Sequence, residues 1–167
     1  MPVCEAFTLP TCPENRWIHA SLGDVRGKTM LELGAGLGEA SAWFALHCAS
    51  VIATDLSGGM LTVAGRVATL HGTAITPVQM VGAVLALADA SVDIVYGANV
   101  LHHVDQAQCI SEVHRVLRPG GVAVFWDPLR YNPVINVYRR MATDVRTADE
   151  HPLGVDDLRM LRRTFQR

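Results

Sequence analysis

The feature that most constrains this chain is a rhythm, short apolar runs alternating with stretches of helical period from Thr29 to Trp126. Thr29 to Leu33, Ser50 to Thr54, Ile75 to Val81, Val92 to Ala98 and Val122 to Trp126 have the length and composition of buried strands,. Between the first two, Glu39 to His47 reads as a helix with Trp43 and Phe44 on its inward side. Behind Ser57 as a cap, Met60, Leu61, Ala64 and Val67 or Ala68 recur at helical spacing until Gly72 stops them,. Asp105 followed by Gln108 resembles a capping box, opening a helix that buries Ile110, Val113 and Val116 or Leu117 and ends at Pro119-Gly120-Gly121,. Strands that alternate with helices in this way form β-α-β units, and such units build a mostly parallel sheet covered on both faces.

A length of 167 residues suits one domain with a genuine core,. Residues 1–28 read as a lead-in, 29–127 as the core, and 128–167 as a helical segment of the same domain. A net charge of −2 implies no strongly basic face, so nucleic acid is a poor fit as partner,. The longest apolar run, Met80 to Ala88, falls far short of the roughly 20 residues that span a bilayer,. Met1 to Pro10 lacks the basic start and apolar core of a secretory signal, so a cytoplasmic protein without a transmembrane segment is expected,. Cys4, Cys12, Cys48 and Cys109 are scattered without ligand spacing, which predicts reduced thiols and no metal,.

The segment Leu31-Glu32-Leu33-Gly34-Ala35-Gly36-Leu37-Gly38 carries the most chemical information. Glycines between a strand and a helix let the backbone approach a ligand closely. The dinucleotide pattern G-x-G-x-x-G would need a third glycine where Glu39 stands; the spacing here is G-x-G-x-G,. Glu32, two residues before the glycines, would repel a pyrophosphate and attract a ligand bearing positive charge,. It could alternatively cap the turn. Asp55, at the end of the second strand, is placed to accept hydrogen bonds from both hydroxyls of a ribose, or to cap the following helix,.

With these residues in hand, the chain resembles the class I S-adenosylmethionine-dependent methyltransferases, in the broad group that includes the ubiquinone/menaquinone-type C-methyltransferases. Glu32 to Gly38 is similar to that family's first motif, and Val51 to Ser57 to its second. Asp89-Ala90-Ser91-Val92-Asp93-Ile94-Val95, Asn99-Val100-Leu101-His102-His103-Val104 and Arg115-Val116-Leu117-Arg118-Pro119-Gly120-Gly121 resemble three more, in the right order. The resemblance implies a Rossmann-like doubly wound sheet of order 3-2-1-4-5 with S-adenosylmethionine over its C-terminal edge. It would set Glu32, Gly34, Gly36 and Gly38 against the methionine part, Asp55 at the ribose and Met60 on adenine, with Ala35 and Leu56 also at the cofactor. Asn99 and Leu101 would line the methyl-donor wall. His102, His103 and His151 are candidate bases toward a small-molecule acceptor; the paired histidines could equally shape the acceptor pocket or close their loop structurally,.

Two departures from the family pattern stand out. The acid usually found at the end of the third strand, where it meets the adenine amino group, falls on Val81. The family's C-terminal β-hairpin is not legible after Trp126, where Arg130 to Met141 and Asp156 to Phe165 look helical, so a truncated chain is expected. A sheet edge at Val122 to Trp126 would then be open to self-association,. Tyr138, Arg139, Arg146 and His151 form either an acceptor wall or a solvated polar face,. The rival readings are a non-catalytic S-adenosylmethionine-binding or interaction domain, and a nicotinamide-dependent oxidoreductase, against which Glu32 and Glu39 both argue.

Overall fold

The structure, a computed structural model, describes residues 12–47, 50–133 and 151–165. Five strands form one sheet in the order β3-β2-β1-β4-β5: β1 (Thr29–Leu33), β2 (Ser50–Asp55), β3 (Thr76–Gln79), β4 (Val92–Ala98) and β5 (Leu117–Trp126). Every neighbouring pair is parallel, with Leu31 opposite Ile52 on one side and Val95 on the other. The expected strand order and doubly wound architecture are therefore present, and the sheet of the described residues is wholly parallel.

Parallel strands need crossovers, and the helices supply them. α1 (Pro13–Leu22), α2 (Glu39–Ala45) and α3 (Gly58–Leu70) cover one face; α4 (Gln106–Val116) and α5 (Val155–Thr164) cover the other. Strand alternation divides the core accordingly. Met30, Val51, Ile94 and Tyr96 meet Ile18, Leu22, Trp43 and Phe44 on the first face. Leu31, Leu33, Val92 and Val95 meet Ile110, Val113 and Val116 on the second. Trp43 anchors its side through edge-on contacts with His19 and Phe44 and a stack on His47.

Local signals act where the sequence places them. Ser57 caps α3 by accepting the Met60 N–H, and Asp105 caps α4 by accepting that of Gln108,. Several motif residues hold the fold together. Asp93 accepts the Thr29 N–H at 2.9 Å and pairs with Arg118 at 2.8 Å, tying the starts of β1 and β4 to the start of β5. Those hydrogen bonds, with the Arg118 charge, hold the Asp93 carboxyl below the usual carboxylate range. Arg115 reaches Glu112, Asp89 and the carbonyls of Leu85 and Leu87, clamping the loop that leads into β4.

Three boundaries differ from expectation. α4 stops at Val116, and Pro119-Gly120-Gly121, expected to end it, lies within β5. β3 stops at Gln79, because Val81 turns back to bridge Val84. β5 begins at Leu117 opposite Val92, and its register shifts before Ile94 meets Val122. Gly121 sits at that irregularity, where a Cβ would lie 2.9 Å from the carbonyl oxygens of Arg118 and Asp93. Of the tail, the helix expected over Asp156 to Phe165 is α5; most of the one expected over Arg130 to Met141 lies outside the described residues.

The tightest approach is at Gly38, whose φ is +81° and whose Cβ would fall 2.4 Å from that of Ala64 in α3. Gly38→Ala should therefore lower the unfolding free energy by about 2–4 kcal/mol, combining left-handed strain with overpacking. Urea denaturation of the two proteins measures this, and a loss under about 1 kcal/mol would mean that α2 and α3 separate freely.

Candidate functional site

Crossovers leave the C-terminal ends of parallel strands as the free rim of the sheet, and the chemistry-bearing residues gather there. After β1 the chain passes through Gly34, Gly36 and Gly38, with φ of +69°, +52° and +81°. The turn is fixed rather than loose. The Ala35 N–H donates to the Thr54 carbonyl at 2.8 Å, and a Cβ on Gly34 would touch the Val100 side chain at 3.1 Å. A Cβ on Gly36 would meet nothing within 4 Å, so the turn is open at that residue.

Asp55 links this turn to the end of β2. One carboxylate oxygen accepts the Gly36 N–H at 2.9 Å and the other accepts the Ser57 N–H at 2.8 Å. The helix-capping role belongs to the Ser57 hydroxyl, and each Asp55 oxygen keeps a lone pair for a further donor,. Leu37, Leu56, Met60 and Val81 are exposed along the same rim, an apolar border where a flat ring could rest.

Glu32 lies in the central strand and is 3% exposed. Its carboxyl accepts a short hydrogen bond from the Ser41 hydroxyl, and among the described residues no cation stands against it. Burial pushes its pKa up to about 7; the Ser41 hydrogen bond opposes that, and the Asp55 charge adds to it,. A buried acid of this kind suits a ligand that brings its own positive charge, as an ammonium or sulfonium does.

The structure brings the three candidate histidines together beyond β4 and β5. The rings of His102 and His103 lie 4.0 Å apart, and the His151 N–H donates to the His102 carbonyl at 2.8 Å. Gln106 in turn donates to the His151 carbonyl at 3.0 Å. His102 is buried in a single 3₁₀ turn, whereas His103 and His151 are exposed. Asn99, with a φ of +55°, donates its N–H to the Trp126 carbonyl at 2.7 Å and leaves its side chain at the surface.

Leu101 is 1% exposed inside the second core cluster, where it supports the loop from beneath. Ala35 is likewise buried, and what it offers the rim is backbone. Tyr138, Arg139 and Arg146 lie outside the described residues. Sequence reasoning missed Asp127, whose Oδ1 sits 2.7 Å from His102 Nδ1. The available signal was its position at the end of a parallel strand, the place Asp55 holds on β2. Among the described residues, no cluster of three or more His, Cys, Asp or Glu side chains could hold a metal ion, and no helix is long and apolar enough to cross a membrane.

A doubly wound parallel sheet with a glycine turn, an acid after β2 and a buried acid in β1 defines a nucleoside-binding α/β protein. Comparison with known proteins gives the family. Residues 31–125 match the profile of the "Methyltransferase domain" family. A protein of Mycolicibacterium smegmatis named "Probable S-adenosylmethionine-dependent methyltransferase" is 40% identical over 111 residues, covering 62% of this chain and 39% of that one. Dimethylglycine N-methyltransferase of Parasynechococcus marenigrum is 34% identical over 130 residues, covering 69% of this chain and 44% of that one. The crystal structure of an S-adenosylmethionine-dependent methyltransferase from Mesorhizobium loti superposes with a TM-score of 0.63 at 33% identity, covering 69% of this chain and 53% of that one. The chain belongs to the class I S-adenosylmethionine-dependent methyltransferase family, whose cofactor is S-adenosylmethionine. It spans less than half the length of these curated relatives.

The buried acid makes stability depend on pH. The Glu32 pKa rises from 4.5 in the unfolded chain to about 7 in the folded one, so only the folded state holds the proton between those values. Stability from this group is complete below about pH 4.5, falls by roughly 3 kcal/mol up to pH 7, and is flat above,. Glu32→Gln should remove this slope, gaining on the parent at pH 8 relative to pH 5 in denaturant titrations. Parallel curves for the two proteins would show that Glu32 ionises as freely folded as unfolded.

Proposed function

We propose that this chain transfers the methyl group of S-adenosylmethionine to a small-molecule acceptor by in-line displacement. The observation that carries the reading is the pairing of Asp55 with the open Gly36 turn beside a buried, cation-free Glu32. When bound, S-adenosylmethionine supplies a methyl group already activated by its sulfonium. What the chain must then do is hold donor and acceptor in near-attack geometry and keep water away, which needs neither a metal nor a nucleophilic triad. In this assignment Asp55 accepts the ribose hydroxyls through its remaining lone pairs. Glu32 and the backbone of Gly34, Ala35, Gly36 and Gly38 face the methionine portion, while Leu56 and Met60 border the adenine.

The acceptor side is assigned to the rim that His102, His103 and His151 share. A relative named dimethylglycine N-methyltransferase supports a small acceptor. The net charge of −2 agrees with a partner other than nucleic acid,.

Calorimetry should show adenosylhomocysteine binding and little or no binding of nicotinamide dinucleotides; the reverse order would sink the assignment. Asp55→Ala should weaken adenosylhomocysteine by about 1.5–3 kcal/mol, the range for hydrogen bonds to a charged group. Asp55→Asn, which keeps an acceptor for the Gly36 N–H, should lose less. Isotopically labelled methyl donor incubated with a cell extract then identifies the acceptor.

We also propose that β5 associates edge to edge with a second copy of the chain. Among the described residues β5 pairs only with β4, and a groove of about 1000 Å³ runs along its outer side, between Trp17 of α1 and Phe165 beyond α5. Leu117, Val122, Val124 and Phe125 line it. Sedimentation should show a dimer that Val124→Lys reduces to monomer, since an edge lysine blocks strand pairing. A monomer at all concentrations would show the edge to be closed.

A further inference from the structure

We infer that Asp127 and His102 form a proton-accepting pair, and that the acceptor methylated here is therefore a hydroxyl or amine that loses a proton as it reacts. The inference deepens the methyltransferase reading and rests on it. Asp127 follows β5 at the same rim that carries the glycine turn, and its side chain is 2% exposed. Its Oδ1 lies 2.7 Å from His102 Nδ1 and also accepts the His102 backbone N–H at 3.3 Å. Because that oxygen is an acceptor toward the backbone, the ring nitrogen facing it is the donor. The hydrogen bond thus fixes the tautomer with its proton on Nδ1, leaving the Nε2 lone pair for other work.

The second oxygen, Oδ2, is buried and has no hydrogen-bond partner among the described residues. A carboxylate tied only to close a loop would be expected to have both oxygens satisfied. One left bare beside an imidazole is instead placed to balance the positive charge created when Nε2 takes a proton, as the buried acid does in serine hydrolase triads. Position agrees with this. Val100, two residues before His102, packs at the Gly34 turn, so the imidazole belongs to the loop that borders the donor site. His151 closes on the same loop through the His102 carbonyl.

The step balances without another reagent. The lone pair of the acceptor oxygen or nitrogen forms the bond to the methyl carbon, and the carbon–sulfur bond breaks with its electrons staying on sulfur. The acceptor's proton passes to Nε2 of His102, giving an imidazolium held by Asp127. An acceptor with no such proton, a carboxylate or a thioether, would have no use for the pair. Asp127 is a positioning residue in this scheme and His102 the base.

The test begins with histidine-15N-labelled protein saturated with adenosylhomocysteine, the His102 ring being identified by its disappearance in His102→Gln. The neutral ring should carry its proton on Nδ1, with Nε2 bare; a proton on Nε2 overturns the inference. Asp127→Asn keeps an oxygen for both N–H donors and removes the charge. It should lower kcat for the acceptor found in the extract by about a hundredfold. The pH profile of kcat should move, while KM and adenosylhomocysteine affinity stay within about twofold, a change smaller than 0.5 kcal/mol. Unchanged turnover in a folded Asp127→Asn protein overturns the pair's role. So does a labelled product that is a methyl ester or a sulfonium. Failure of the unaltered protein to bind adenosylhomocysteine is a separate result, and it sinks the methyltransferase reading itself.

Discussion

The rest of the molecule depends on β1 having no free side. It pairs with β2 along one edge and β4 along the other, and Met30, Leu31 and Leu33 are at most 2% exposed. A strand so enclosed can offer chemistry only where it ends, and the glycine turn occupies that end. Enclosure also explains Glu32. An acid in the central strand costs free energy unless something offsets its burial, and the Ser41 hydroxyl offsets only part,. Its persistence there is understandable if a cationic ligand completes the site, and hard to understand if the residue serves packing alone.

One device recurs around the rim. Asp55, after β2, catches the backbone N–H of Gly36 in the loop after β1. Asp127, after β5, catches that of His102 in the loop after β4. Each acid follows one strand and orders the loop leaving its neighbour, so sheet pairing carries the loops into register. Asp93 does the same at the opposite end, holding the Thr29 N–H where β1 begins. The strands thereby position the loops, and the halves of the rim proposed for donor and acceptor are set relative to each other through β4, next to β1.

Most of the fold was legible because its signals are local. The β4 range, both side-chain helix caps and the inward residues of α4 follow from apolar period and capping chemistry, which need only near neighbours,. The end of β3 and the start of β5 were not, since the Val81–Val84 bridge and the shift before Val122 depend on what lies across the sheet. The site divides in the same way. The glycine turn and Asp55 declare themselves by spacing, whereas Asp127 and His102 stand 25 positions apart and meet only because β4 and β5 are adjacent. Motif membership says where Leu101 sits along the chain, not which way it faces; its neighbours Val100 and His102 lie against Gly34 and Asp127 while it turns into the core.

Motif residues in this chain therefore perform two kinds of work that a pattern match cannot separate. Arg115, Asp89, Asp93 and Arg118 belong to the same recognisable segments as the cofactor candidates, yet their partners are each other, Glu112 and backbone carbonyl or N–H groups. Under the proposed assignment, chemistry falls to motif positions with capacity left over: Asp55 with its spare lone pairs, Glu32 without a cation among the described residues, and His102, whose Nδ1 lies 2.7 Å from Asp127. The substitution at Val81 fits the same accounting. Under the proposed assignment the adenine edge has lost its acid and meets an apolar rim of Leu37, Leu56, Met60 and Val81. Specificity for the cofactor must then come, under the same assignment, from the ribose at Asp55 and the ligand's positive charge at Glu32.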